Sequence, residues 1–358
     1  MMPTIKDVAK AANVSIATVS YVLNNRTEMV GEKTRLHVLA TAQHLGYRPN
    51  IVARNLQSSR TRLVGYAWHR NPVALPTSVM DQFIYHLAQA AEAQHYHLLT
   101  FTYPDGDPLA VYEELMRSGR VDGFIVAETE QDDPRIAYLL KQCFPFVSFG
   151  RANPDWVFDW VDTDGRAGTR MATEHLLRLG HRQIAFLGWP RTSLTGNYRL
   201  EGYLEAMSAA GIATPEGYVL HHDYNHNSLE DVFAGWQARP ADEHPTALVA
   251  VSDVVAVAAM QTAEQVGFQI GKTLSVVGFD DAPFVSYLRP GLTTLHQPFD
   301  VISTILMRRL DALISGDGGY DEPMTQLITP ELVVRGSSGQ PLAVAPAQIT
   351  EGTNRSLR

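Results

Sequence analysis

A chain of 358 residues that is 45% hydrophobic and 19% charged is built for a globular fold of two or three domains, not for disorder. It has no apolar run of 18 residues, no secretory-signal layout at its N-terminus and a single cysteine, Cys143. These features exclude a membrane span, an intrachain disulfide and a cysteine zinc cluster, and make a reducing cytoplasm the expected compartment. The net charge of −9 is uneven: residues 1–62 hold nine basic and three acidic side chains, a head of +6 on a body of −15. Such a head suits phosphate and such a body does not, the alternative being a chance fluctuation of charge.

In chain order, the first 46 residues read as three helices. Thr4 can cap the first, with Asp7 at its positive end and Val8, Ala9, Ala11 and Ala12 as an apolar stripe. Asn13 tolerates the left-handed backbone of a tight turn. Ser15 caps a second helix running from Ile16 to about Asn24, with Val14, Val19, Val22 and Leu23 inward. A third runs from about Glu32 to Leu45 and stops at Gly46. Pro49 breaks the chain, Asn50 can cap again, and 51–57 make one or two more turns before the polar linker 58–62.

Beyond the linker, strand candidates at 63–67, 97–101, 123–126, 146–149, 183–187, 247–251 and 274–278 alternate with helix candidates. Those helices are 81–94, 109–118, 165–179, 198–210, 229–237 and 253–266. The alternation predicts parallel sheets with right-handed crossovers, and the length predicts two α/β lobes. The stretch 337–358, rich in Ser, Gly, Pro, Ala and Gln, reads as a disordered tail without a heptad.

Two helices around a tight turn, the second with small and polar residues outward, form a major-groove reader. Ile16, Ala17, Ser20 and Tyr21 point outward where base edges are met, and Ser15, Thr18 and Asn24 suit phosphate. A plain three-helix bundle is the alternative. The run from Thr4 to Ser20, followed by Val22-Leu23-Asn24, closely resembles the head of the LacI/GalR family of bacterial transcriptional regulators. So does Leu45-Gly46-Tyr47-Arg48-Pro49-Asn50, with Ala53, Arg54 and Leu56 behind it. Asp164-Gly165-Arg166-Ala167-Gly168, Leu179-Gly180-His181-Arg182, Ile184-Ala185-Phe186-Leu187-Gly188, Arg199-x-x-Gly202-Tyr203, Ser275-Val276-Val277-Gly278-Phe279-Asp280-Asp281 and Leu292-Thr293-Thr294-Leu295 are similar to that family's core.

The resemblance implies an all-α helix-turn-helix head (1–46), a hinge helix and linker (47–62), and a two-lobed, type I periplasmic-binding-protein-like α/β body (63–336). The first lobe would hold about 63–160 and 296–322, the second about 163–291 and 323–336. It implies a homodimer on double-stranded, pseudo-palindromic operator DNA, contacted by Thr4, Ser15, Ile16, Ala17, Thr18, Ser20, Tyr21, Asn24, Asn50, Ala53 and Leu56. Leu56 would wedge into the minor groove from a hinge helix too short to persist alone; the rival reading is a minor core residue. Many family members carry Arg where this chain has Tyr21, so the matching base need not be guanine. Without an apolar heptad in the tail, a dimer is expected and not a tetramer.

In the same family an effector lies between the lobes. Arg199 matches its effector-gripping arginine, and Asp280 an acid that accepts from hydroxyls; a salt bridge and a helix cap are the alternatives. Trp68, His69, Trp160 and Phe299 fall at cleft positions, where aromatics suit sugar rings, although each such aromatic is individually more often core than ligand contact. Ser252 stands where some sugar-binding relatives have Asn. The expected effector is therefore a small sugar, with a nucleobase or a protein co-regulator as alternatives and a transport receptor as the different-class one. No cofactor, metal or enzyme activity is expected. The Gly267–Thr273 run has three residues between its glycines where a phosphate-binding loop has four, no G-x-S-x-G elbow occurs, and His221, His222 and His226 read as a solvated loop.

Overall fold

The computed structural model describes residues 3–23, 27–47, 60–68, 78–103, 107–221, 229–240, 243–316 and 322–342. It divides into two units, 1–62 and 63–358.

The head consists of α1 (Ile5–Ala11), α2 (Ile16–Leu23), a 3₁₀ turn (Thr27–Met29) and α3 (Glu32–His44). The Asp7 carboxylate accepts from both the backbone N–H and the hydroxyl of Thr4 at 2.8 Å, fixing the start of α1. Those bonds hold its pKa below the usual carboxylate value. Asn13 turns the chain at φ 55°, and Ser15 Oγ accepts from Thr18 N–H at 3.0 Å to open α2. Gly46, at φ 64°, ends α3 in the left-handed region, with Tyr47 N–H returning to Ala42 O at 2.9 Å. Val8, Ala9, Ala12, Val19, Val22, Val38 and Ala42 form the head core. Ala11 is exposed and does not join that stripe, because a step of one residue from Ala12 turns it about 100° around the helix. Asn24, Asn50, Ala53 and Leu56, with most of the expected hinge, lie outside the described residues.

The body is built on two parallel sheets. The first has the order β11-β5-β4-β3-β1-β2, from β1 (Leu63–Trp68), β2 (His97–Thr102), β3 (Gly123–Val126), β4 (Phe146–Phe149), β5 (Trp160–Thr163) and β11 (Thr325–Ile328). The second has the order β7-β6-β8-β9, from β6 (Ile184–Gly188), β7 (Val219–His221), β8 (Ala247–Ala250) and β9 (Ser275–Val277). β10 (Thr294–His296) pairs antiparallel with β12 (Glu331–Val333) and reaches the second sheet through the bridges Val277–Thr293 and Asp280–His296.

Helices cover both faces. Those of the first lobe are α4 (Ser78–Ala93), α5 (Leu109–Arg117), α6 (Pro134–Gln142) and α11 (Phe299–Ser315). Those of the second are α7 (Gly165–Leu179), α8 (Leu194–Ala209), α9 (Leu229–Gln237) and α10 (Asp253–Gln265). On one face of the first sheet Val64, Phe83, Leu87, Ile302 and Leu306 interlock; on the other, Tyr112, Phe124, Ile136 and Leu139 do. α7 and α8 meet closely at Gly202, where a Cβ would collide with the Arg166 carbonyl. Two of these helices, α6 and α11, lie beyond the alternation read from the sequence. α8 also starts earlier than the 198–210 expected, at Leu194, because Ser193 Oγ accepts from Gly196 N–H at 3.1 Å.

Two expected boundaries are corrected. Residues 323–336 do not all belong to the second lobe: Thr325–Ile328 runs parallel to Trp160–Thr163 in the first sheet. The cause is Asp159, whose Oδ1 accepts from Met324 N–H at 2.6 Å and from Arg309 Nε at 2.7 Å, drawing the strand against β5. Nor is the tail disordered from 337. Ser337 is fully buried. Its Oγ donates to Val276 O at 2.6 Å and accepts from Thr293 N–H at 2.8 Å. His181 Nε2 lies 2.8 Å from Gly339 O. The polar composition that suggests disorder here supplies the hydrogen bonds of a strap across the second lobe.

Candidate DNA interface and ligand cleft

On α2, Ile16 is 46% exposed, Ala17 is exposed, and Ser20 and Tyr21 are half-buried. The inward residues are Val19 and Val22, so the helix presents a small-residue face beside an exposed Leu-sized side chain. Thr4 is exposed at the start of α1. The Ser15 and Thr18 hydroxyls are 2.8 Å apart and bonded to each other while Ser15 also caps α2. They stand at a helix N-terminus, whose partial positive charge favours phosphate.

In the body, Arg199 lies within α8, Val251 just past β8, and Phe279 and Asp280 just past β9, all at the carboxyl ends of the second sheet. Arg199 is 4% exposed. Its guanidinium carbon stands 3.6 Å from the Phe279 ring centre and 5.3 Å from that of Trp189. Nη1 donates to the Val251 carbonyl and lies 3.6 Å from Asp280 Oδ1, while Nε is buried with no hydrogen-bond partner. A buried N–H without an acceptor is destabilising, and a ligand oxygen placed there would remove that penalty. Burial lowers the Arg199 pKa, opposed by the charges of Asp280, Asp162 and Asp253.

Asp280 is 6% exposed and sits at φ 122°, a strained left-handed conformation for a residue with a side chain. Its Oδ1 accepts from Gln297 Nε2 at 2.7 Å, and Gln297 Oε1 accepts from Thr163 Oγ1 at 2.5 Å. The carboxyl is thereby tied to the end of β5 in the first sheet. Burial raises its pKa against the opposing pull of Arg199 and Gln297. Asp253 accepts from Thr294 Oγ1 at 2.5 Å and from Ala282 N–H at 2.8 Å; burial and the nearby Asp280 charge hold its pKa well above the usual value. Asp281, by contrast, turns to Arg335 at 2.6 Å and His296 at 3.2 Å, so the adjacent carboxylates do not converge.

The remaining expected contacts divide. Trp160, first residue of β5, is half-buried, with the Arg151 guanidinium 5.9 Å from its ring. Trp68 ends β1, half-buried and edge-on to Tyr66 at 6.1 Å. Ser252 is buried at the N-cap of α10, where its Oγ accepts from Val255 N–H at 3.4 Å. Phe299 is 3% exposed and its ring packs 5.9 Å from both Phe83 and Phe149, in the first-lobe core. His69 lies outside the described residues, as do His222 and His226; His221 Nδ1 lies 2.8 Å from Trp189 O. Gln297, Trp189, Asp162 and Asp253 gather around Arg199 and Asp280, and Arg151 pairs with Asp162, none of them carrying a local motif of its own. Among the described residues no set of His, Cys, Asp and Glu is arranged for a metal, and no helix is long and apolar enough to cross a membrane.

Residues 4–50 match the family described as bacterial regulatory proteins, lacI family, and 173–338 match the periplasmic binding protein-like domain. The HTH-type transcriptional repressor PurR of Escherichia coli O1:K1 / APEC is 32% identical over 346 residues, 94% of this chain and 97% of that protein. The lac repressor dimer bound to operator and the anti-inducer ONPF superposes with a TM-score of 0.77 at 26% identity, over 95% of this chain and all of that one. The complex of the transcriptional regulator CelR with cellobiose gives 0.70 at 28%, over 94% of this chain and 100% of that one. These relatives are regulators of transcription and not enzymes. The chain thus belongs to the lacI family of bacterial regulatory proteins, as a DNA-binding transcriptional repressor with a ligand-binding body.

Proposed function

We propose that this repressor controls carbohydrate-utilisation genes and that a small sugar bound between its lobes sets its operator affinity. In this reading a homodimer places two copies of α2 in successive major grooves of a pseudo-palindromic operator. Ile16, Ala17, Ser20 and Tyr21 then face base edges, while Thr4, Ser15, Thr18 and Asn24 meet the backbone. Residues 47–62 act as the hinge, with Asn50, Ala53 and Leu56 at the minor groove.

The observation that carries the sugar reading is the buried Arg199, with Nε unsatisfied, beside a strained Asp280 at the strand ends. One offers donors and the other acceptance from hydroxyls, while Trp160 and Trp189 supply ring faces for the CH surface of a pyranose. The similarity to a cellobiose-bound regulator supports the same class. Ligand then shifts the population of closed bodies, which alters how the two hinges sit on DNA.

The test is a thermal-shift screen of monosaccharides, disaccharides and nucleobases on the full-length protein, followed by fluorescence anisotropy with an operator selected from a random pool. A sugar that raises Tm and changes operator affinity is the expected result. A nucleobase that does both, with every sugar silent, overturns the sugar reading. Sedimentation as a stable tetramer overturns the dimer.

A further inference from the structure

Arg151 and Tyr198 come from different lobes. Arg151 stands two residues beyond β4 of the first sheet; Tyr198 lies on α8 of the second lobe, immediately before Arg199. The Arg151 guanidinium carbon is 3.5 Å from the Tyr198 ring centre and 5.9 Å from that of Trp160. Its Nε donates to Asp162 Oδ2 at 2.9 Å, with the two side chains 17% and 11% exposed. The guanidinium is therefore anchored to the first lobe by Asp162 and stacked face-on against the second.

We infer that Arg151 is a positioning residue for the ligand cleft, a clasp whose stack on Tyr198 holds the lobes closed around Arg199. Separation of the lobes takes Tyr198 away together with Arg199, whereas Asp162 stays with Arg151 on the first sheet. Opening thus breaks the cation–ring contact but not the ion pair. A stack shielded from water is worth more than an exposed one, so its loss weighs directly on the closure equilibrium. Because ligand binds only the competent fraction, that equilibrium multiplies apparent affinity. The clasp rests on the reading that ligand enters between the lobes; closure of the free protein can be measured apart from it.

Cys143 is the single cysteine of the chain and is exposed on the first lobe. Gln261→Cys on α10 supplies a second exposed position on the second lobe. Spin labels at the two sites, with labelled subunits diluted into unlabelled protein, report interlobe distance without ligand. Tyr198→Leu and Arg151→Gln should shift the distribution to longer distances, a roughly tenfold change in the closed-to-open ratio. Tyr198→Phe, which keeps the ring face, should restore the parent distribution. Unchanged distances in Tyr198→Leu, or equal displacement by Tyr198→Phe, overturn the clasp. If Arg151→Gln fails to fold because Asp162 loses its partner, Tyr198→Leu decides alone, since it leaves that pair intact. Failure of every sugar to bind would remove the sugar reading and leave the distance result standing.

Discussion

Gln297 bridges Asp280 and Thr163: its amide donates to the carboxylate at 2.7 Å while its carbonyl accepts from the hydroxyl at 2.5 Å. One side chain thus satisfies a strained acid in the second lobe and the last residue of β5 in the first. Gln297→Leu, close in volume, removes both bonds and leaves Thr163 Oγ1 and Asp280 Oδ1 buried without them. The expected loss is about 2–5 kcal/mol of folding stability. Urea denaturation with an unchanged midpoint would show that water replaces the amide.

Arg199 is expected to govern the ligand response. Arg199→Ala should abolish any effect of ligand on operator binding while leaving the head able to bind operator, because the head folds on its own core. Removing the cation strands Asp280 in a buried site, a change that typically destabilises by about 3–5 kcal/mol for a broken buried pair. Anisotropy titrations with and without ligand read the first effect, and thermal denaturation the second. Ligand-dependent release retained in Arg199→Ala would contradict the assignment.

Tyr21 lies on the same helix as the exposed Ile16 and Ala17. An arginine there can form the bidentate pair with guanine that a single phenol hydroxyl cannot. Tyr21→Arg should therefore change the preferred half-site base, by about 1–3 kcal/mol of discrimination, instead of weakening all sites alike. Selection from a random pool followed by sequencing distinguishes the two outcomes.

His181 gives a pH dependence. Burial lowers its pKa, only partly offset by the hydrogen bond to Gly339 O. The folded protein therefore holds this ring neutral where the unfolded chain has begun to protonate, below about 6.5. Its contribution is complete above that value and is lost as pH falls towards the depressed folded pKa. Asp162, Asp253 and Asp280 have raised pKa values and act in the opposite sense, losing stability as pH rises above the ordinary carboxylate range. A comparison of wild type with His181→Asn isolates the ring. The wild-type advantage in denaturation midpoint should shrink from pH 7 to 5, and a constant difference would refute the assignment.

The head was legible because its signals are local. Thr4 with Asp7, Ser15 before α2 and Gly46 after α3 each act within five residues, and the structure uses all of them. The bounds of α7 and α9 were legible for the same reason. Strands β10 and β12, three residues each, form only because they find one another 35 residues apart, which no short window reveals. Phe299 reads as a cleft aromatic from its place after the crossing, yet it opens α11 and turns its ring into the core. Arg199 and Asp280 carried a family motif. Gln297 and Arg151 acquire their surroundings only when Thr163, Asp162 and Tyr198 arrive from distant parts of the chain.

The placement of Thr325–Ile328 in the first sheet, with Glu331–Val333 and Ser337 completing the second lobe, bears on biosynthesis. Neither lobe is a contiguous stretch of polypeptide, so neither can be excised and expressed as a simple fragment. On the ribosome the first lobe stays unfinished until Thr325–Ile328 has left the exit tunnel and the second until Ser337 has, whereas the head has already emerged whole. A nascent repressor is thus able to fold its DNA reader well before it has a sensor to restrain it.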